Sequence, residues 1–297
     1  MSEKPKLFVG TASWTDPTLV KSDLFYPPEA NTAEARLRFY AAHFNTVEVD
    51  SSFYALPSER NSELWVARTP NDFVFNIKAF ALLTQHAADA SRLPKAIKQI
   101  LPAAMKSESR IKSPPREVLD LSFEMFWSAL SPLREADKLG RLVFQFPPYF
   151  ICRPGNFDYL ADLRSRMPEA AIAVEFRHPS WVGEEPQRVQ TLRFLHEHDL
   201  AYISIDAPPG TGLPSFVEAT ASDVYVRFHG RNRENWFKHN QLVAERYKYL
   251  YSEVELADWA NKLKELTGVR RAFAIFNNCY SNFGIMNATT MSQMLMH

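Results

Sequence analysis

The chain has 297 residues, 46% hydrophobic and 23% charged, ordinary globular values for a chain that buries roughly 70–75% of its unfolded surface. Its 34 basic and 34 acidic residues cancel, so no global field draws it to nucleic acid or to a membrane surface, and any anion recognition has to be local. Two distant cysteines, Cys152 and Cys279, with no CxxC pair, argue against a disulfide framework and a structural zinc site.

The start, Met1-Ser2-Glu3-Lys4-Pro5-Lys6, is polar and leads straight into an apolar run, with no signal-peptide core. No stretch approaches the ~18 apolar residues of a membrane span, so a membrane is not an expected partner and a reducing cytoplasm is the expected location. Eight short apolar runs rich in Val, Ile and Phe follow, at 7–12, 46–49, 73–77, 142–146, 172–176, 201–205, 224–228 and 272–276. Each reads as a strand buried on both faces, as in a parallel sheet. Helical stretches at 32–43, 60–68, 116–130, 157–166, 187–198 and 252–267 separate them. The alternation predicts βαβ units, and eight runs predict an α/β, single-domain (β/α)8 barrel over residues 1–297, with an open sheet as the alternative.

Two connections are long. About 60 residues separate the third run from the fourth, and they include a polar stretch at 103–116 that reads as a flexible surface insertion. The connection after the seventh run holds Gly230 to Tyr251. Nine glycines against twenty prolines leave no glycine-rich phosphate cradle, and the sequence identifies no cofactor and no oligomeric state.

The runs end in polar side chains: Glu48 and Asp50, Asn76 and Lys78, Gln145, then Glu175, Arg177 and His178, then Asp206, Arg227 and His229, Asn277 and Asn278. Alternation puts Glu48 with Asp50, Glu175 with Arg177, and Arg227 with His229 on shared faces. Barrel active sites sit at the C-terminal ends of the strands, and buried charge is costly unless paired or used. One reading is a structural network in which Glu48, Glu175 and Asp206 neutralise Lys78, Arg177 and Arg227. The other is a functional mouth rimmed by Trp14, Phe53, Tyr54, Trp181 and Trp236, aromatics suited to stacking on a flat ligand. The stretch from Arg227 to Asn240 is basic and amide-rich, and barrels often bind phosphate in the loops after strands seven and eight.

A metal reading takes Glu48, Glu175, Asp206 and His229 as ligands, with Lys78 and the arginines competing for the same carboxylates. His86, in Leu83-Thr84-Gln85-His86, is a further candidate for the mouth, with a solvated loop histidine as the alternative. A retaining glycosidase pair would need close carboxylates from distant strands, and a Schiff-base Lys78 would need a depressed pKa that nearby carboxylates oppose.

These residues carry a resemblance. Gly10-Thr11-Ala12-Ser13-Trp14, Phe25-Tyr26-Pro27, Phe44-Asn45-Thr46-Val47-Glu48, Ser52-Phe53-Tyr54 and Phe73-Val74-Phe75-Asn76-Ile77-Lys78 come first. Gln145-Phe146-Pro147-Pro148, Val174-Glu175-Phe176-Arg177-His178-Pro179-Ser180-Trp181, Asp206, Arg227-Phe228-His229-Gly230-Arg231, Tyr249-Leu250-Tyr251 and Asn277-Asn278 follow in order. Together they resemble the domain of unknown function 72 family, also called YecE-like, over essentially the whole chain. The resemblance implies a barrel and supplies no reaction. Barrel-level similarity to sugar isomerases and to endonuclease IV-type repair enzymes suggests metal-assisted phosphodiester or isomerase chemistry by analogy alone, and the ligands here are poorer in histidine.

The first expectation is an enzyme acting on a phosphorylated or otherwise anionic small molecule or nucleotide-like substrate. Its catalytic residues are Glu48, Lys78, Glu175 and Asp206, with Glu48 or Glu175 as general base oriented by Lys78. Its substrate-binding residues are Trp14, Tyr54, Gln145, Arg177, His178, Arg227, His229, Arg231, Asn277 and Asn278, and no residue is assigned to a metal. The second expectation is a non-catalytic binder of an anion or of nucleic acid, a partner that the net charge does not indicate.

Overall fold

The computed structural model describes residues 4–238 and 243–296; His239 and Asn240 of the loop after the seventh run lie outside the described residues. The strands are β1 (Lys6–Thr11), β2 (Thr46–Val49), β3 (Val74–Lys78), β4 (Ala88–Asp89), β5 (Arg110–Ile111), β6 (Leu139–Gln145), β7 (Ile172–Glu175), β8 (Leu200–Asp206), β9 (Asp223–Phe228) and β10 (Arg271–Phe276). Eight of them form one sheet in the order β1-β10-β9-β8-β7-β6-β3-β2, while β4 and β5 form a separate antiparallel pair. A parallel bridge joins Ala12, just past β1, to Glu48 of β2, so the two end strands of that order are themselves linked. With helices between the strands, this is an α/β fold of the (β/α)8 barrel class.

The helices anticipated from the sequence form at Ala33–Ala41, Glu59–Ala67, Arg116–Ser128, Pro154–Arg166, Gln187–Glu197 and Glu253–Lys264. Their starts have local causes. Thr32 Oγ1 accepts from Ala35 N at 3.1 Å, and Ser58 with Asn61, and Ser252 with Glu255, close reciprocal capping boxes. A further helix, Phe283–Met296, has no sequence counterpart above: it is apolar on most sides and lacks the polar stripe that marks a helix by period. Inside the 103–116 stretch, Arg110–Ile111 pairs with Ala88–Asp89.

The chain divides into two compact units. Unit 1 comprises residues 1–48 and 179–297, with the ladders β1–β10, β10–β9 and β9–β8, all parallel. In register, Phe8, Phe273 and Tyr225 share one face and their rings stack. Thr11, Phe276 and Phe228 share the other, where Phe228 meets Trp259 of the helix Glu253–Lys264.

Unit 2 comprises residues 49–178, with the parallel ladders β3–β6 and β6–β7. The β3–β6 register slips between Phe75 and Ile77, because β6 carries an extra residue there. Asn76 Oδ1 clamps the slip by accepting from Arg141 N at 2.8 Å, and a Cβ on Gly140 would lie 2.4 Å from that oxygen. After the slip, Lys78, Val143 and Ala173 align, so Lys78, Gln145 and Glu175 share one strand face.

Candidate functional site

In unit 1, β9 presents Tyr225, Arg227 and then His229 on one face. Arg227 Nη2 donates to Glu48 Oε1 at 2.6 Å and Tyr225 Oη to Glu48 Oε2 at 2.8 Å. Both charged side chains of the pair are 0% exposed. Such a pair survives burial only because its geometry and added hydrogen bonds offset the cost of desolvation. Glu48 O also accepts from Ser13 N at 2.9 Å; Ser13 has φ +94°, a left-handed conformation costly for a side-chain-bearing residue, at the end of β1. One step further along β9 and β10, Asn277 Nδ2 donates to His229 Nδ1 at 2.9 Å. That bond leaves the imidazole proton on Nε2. The His229 ring is buried, with Trp236 and Tyr247 centroids at 6.2 and 6.1 Å.

Asp206 belongs to a different face of the same unit. Its register partner is Phe228, not Arg227, so it points toward the helix Glu253–Lys264. Four donors reach its buried carboxylate: Arg231 Nε at 2.9 Å and Nη2 at 2.6 Å, Tyr251 Oη at 2.7 Å, and Trp259 Nε1 at 2.8 Å. Arg231 Nη1 continues to Glu255 at 3.0 Å, and hydrogen bonding to Asp206 holds the guanidinium above its already high range. Burial and the Asp206 charge push the Tyr251 phenol well up. Gly230 has φ +86°, its N donates to Tyr251 Oη at 2.8 Å, and a Cβ there would meet Tyr249 Cβ at 2.7 Å. Asp206 therefore ties down the loop after β9 at both ends. Arg231 also lines a cavity of about 410 Å³ whose walls are chiefly the loop from Ala207 to Ser215.

Asn278 follows the same pattern as Asp206. Its Nδ2 donates to Tyr249 O at 2.8 Å and to Asn287 Oδ1 at 2.9 Å, which anchors the helix Phe283–Met296. Trp14 is 9% exposed, and its carbonyl accepts from the Tyr26 hydroxyl. Trp181 is fully buried, a core residue rather than a rim aromatic.

In unit 2, Lys78 Nζ pairs with Asp50 Oδ1 at 3.1 Å and lies 4.9 Å from the centre of the Phe53 ring. Ser52 Oγ donates to Lys78 O at 2.6 Å and so fixes the Ser51–Phe53 turn to the end of β3. Arg177 Nε pairs with the buried Glu175, and its Nη2 reaches Gln145 Oε1 at 3.3 Å. His86 packs edge-on against Phe53 at 5.0 Å, and its Nδ1 lies 2.9 Å from Thr84 Oγ1. Burial, with the charges of Lys78, Arg177 and Arg110, lowers its pKa to about 4. Tyr54 is 54% exposed beside Phe53, and His178 is half-buried next to Arg177.

Of the residues singled out from the sequence, the structure thus joins Glu48 and Arg227; His229 and Asn277; Asp206 and Arg231; and Gln145, Glu175 and Arg177. The carboxylate beside Lys78 is Asp50. Tyr225, Trp259 and Glu255 had not been singled out, because each is an unremarked member of a strand or helix whose role depends on a distant partner. Among the described residues, no three or more His, Cys, Asp or Glu side chains are grouped to hold a metal ion. The proposed ligands do not fit one: arginine holds oxygens of Glu48, Glu175 and Asp206, and Asn277 holds His229 Nδ1. Cys152 and Cys279 are both free thiols, and among the described residues no helix is long and apolar enough to cross a membrane.

A family model described as "Protein of unknown function DUF72" matches residues 8–297. The UPF0759 protein YunF of Bacillus subtilis is 32% identical over 296 residues, 97% of this chain and 94% of that protein. The UPF0759 protein YecE of Escherichia coli K12 is 28% identical over 68% of this chain and 60% of its own length. Among solved structures, a DUF72 family protein of Thermotoga maritima (TM1631) matches with a TM-score of 0.77 at 31% identity, covering 98% of this chain and all of that one. A DUF72 family protein of Enterococcus faecalis (EF0366) reaches a TM-score of 0.77 at 24% identity, covering 98% of this chain and 96% of that one.

Proposed function

The chain belongs to the DUF72 family, and from that premise we propose that it is an enzyme acting on a phosphorylated or otherwise anionic small molecule bound at the ends of β3, β6 and β7. The observation that carries this reading is His86, set in the field of Lys78 and Arg177, two cations whose side chains are only 10% and 12% exposed. Burial is the main reason this histidine stays neutral, and the charges of Lys78 and Arg177 add to it even with Asp50 and Glu175 alongside, which supports reading the two cations as the place an anion would settle.

In this reading Lys78 and Arg177 hold the anion, Arg177 through its planar fork, and Gln145 positions a neutral group beside it. Proton transfer falls to Glu175 and His86. An arriving anion shares Arg177 with Glu175, which makes the carboxylate a better base, and it raises the proton affinity of His86. Glu48–Arg227 and Asp206–Arg231 are already neutralised within unit 1 and serve as framework.

Calorimetric titration with inorganic phosphate at low ionic strength tests the reading. Binding that weakens at least about tenfold in Lys78→Ala, with Arg177→Ala behaving alike, is the expected result. An unaltered affinity in both variants, or no phosphate binding by the native chain, overturns it. Phosphate esters then form the substrate screen, with Glu175→Gln as the variant that keeps the fold and loses turnover.

A further inference from the structure

We infer that the β4–β5 hairpin supplies a second anion subsite, so that the ligand is a small molecule bearing two separated anionic groups, of the bisphosphate class. This rests on the reading of Lys78 and Arg177 as the first subsite.

The loop after β3 is the common support. Gln85 O accepts from Tyr149 Oη at 2.7 Å, His86 packs on Phe53, and Ala87 O accepts from Arg110 Nη2 at 2.9 Å. Phe53 touches both Lys78 and His86. Arg110, bonded to the very next residue, is therefore held within a short reach of the first subsite. Lys112 follows on the same strand end, its Nζ 5.6 Å from the centre of the Tyr149 ring, and that ring is 54% exposed. An exposed aromatic residue beside these cations suits the flat or apolar body of a ligand whose ends are charged.

Arg110 and Lys112 differ from the other cations of the proposed site in having no carboxylate within ion-pair distance, although the charge of Arg110 acts on its ladder partner Asp89. Arg177, Arg227 and Arg231 each rest against a carboxylate. Among the described residues, no carboxylate lies within salt-bridge distance of Arg110 or Lys112. The nearest acid along the ladder is Asp89, the register partner of Arg110. Its Oδ1 already accepts from Ser91 N and Oγ, and its Oδ2 faces Arg92 at 3.8 Å. One N–H of Arg110 is spent on Ala87 O; the rest of the fork remains for a ligand oxygen. The charge of Arg110 also reaches His86, adding to the effect of Lys78 and Arg177 there. A compact ligand is favoured over a nucleic-acid strand because the cations cluster around one loop and the chain as a whole carries no net charge.

The test compares fructose 6-phosphate, fructose 1,6-bisphosphate and a single-stranded oligonucleotide as probes, by calorimetry on the full chain. The native chain is expected to bind the bisphosphate about tenfold or more tightly than the monophosphate. Arg110→Ala/Lys112→Ala should bring the bisphosphate down to the monophosphate level, and Arg110→Lys/Lys112→Arg should restore most of the difference. Monophosphate binding that depends on Lys78, with a bisphosphate preference that is absent or survives the double alanine variant, overturns this inference alone. Absence of any Lys78-dependent binding overturns the first-subsite reading and this one with it. Tighter binding of the oligonucleotide than of the bisphosphate overturns the ligand class.

Discussion

Asp206 and Arg227 end neighbouring parallel strands but face opposite ways, Arg227 in register with Ile205 and Asp206 with Phe228. One charge therefore enters the face that holds Glu48, and the other enters the layer against the helix Glu253–Lys264. The two carboxylates, Glu48 and Asp206, have different jobs as a result.

Asp206→Asn removes the charge that Arg231 requires and at least one of four hydrogen bonds. A loss of about 1–3 kcal/mol is expected in urea unfolding, because a buried acceptor is lost to its donors while Arg231, 31% exposed, keeps Glu255. Amide exchange should accelerate from Gly230 onward through the loop. A variant of native stability would show that the network does not anchor that loop.

Glu48 and Arg227 are expected to behave as one unit. Glu48→Leu and Arg227→Met alone should each cost about 3–5 kcal/mol, since each strands a charge in a site with 0% exposure. The double variant should cost clearly less than the sum, with a coupling of up to about 3 kcal/mol. Additive losses would mean that the pair does not interact as its geometry states.

His86 makes stability depend on pH. Its folded pKa, about 4, lies below the ordinary 6.5, so between those values the unfolded chain binds more protons. The contribution is complete above about pH 6.5 and is lost as the pH falls toward 4. Stability of the native chain should decline through that window, and His86→Gln should flatten the decline. The imidazole midpoint by NMR should lie near 4 and rise when phosphate is added; a midpoint near 6.5 would contradict the burial and cationic surroundings of the ring.

Asn277 sets the form of His229. With an amide N–H bonded to Nδ1, the ring proton belongs on Nε2. Nitrogen-15 spectra should show that tautomer in the native chain. Asn277→Asp should reverse it, because a carboxylate accepts a proton from Nδ1, and should raise the proton affinity of the ring. An Nδ1–H tautomer in the native chain would refute the assignment.

Much of the architecture is legible in the chain itself. The eight apolar runs coincide with the eight strands of the sheet to within a few residues, because a strand buried on both faces must be apolar throughout and short. The six periodic segments coincide with helices for an equally local reason, an apolar stripe bounded by caps such as Ser58 and Ser252. The polar residues at the strand ends were visible as breaks in those runs.

Only the tertiary structure decided how those residues divide. Glu48 and Arg227 are 179 residues apart, and no local pattern specifies that they meet. Alternation told which neighbours in one strand share a face, but the register between strands put Asp206 beside Phe228 and toward Trp259. The slip at Asn76 and Gly140 set which β6 residues stand beside Lys78, and the two-residue ladder at Arg110 is too short to carry a period at all. Composition and periodicity record what a residue loses by meeting water; the identity of its partner is a matter of long-range register, which the chain acquires on folding.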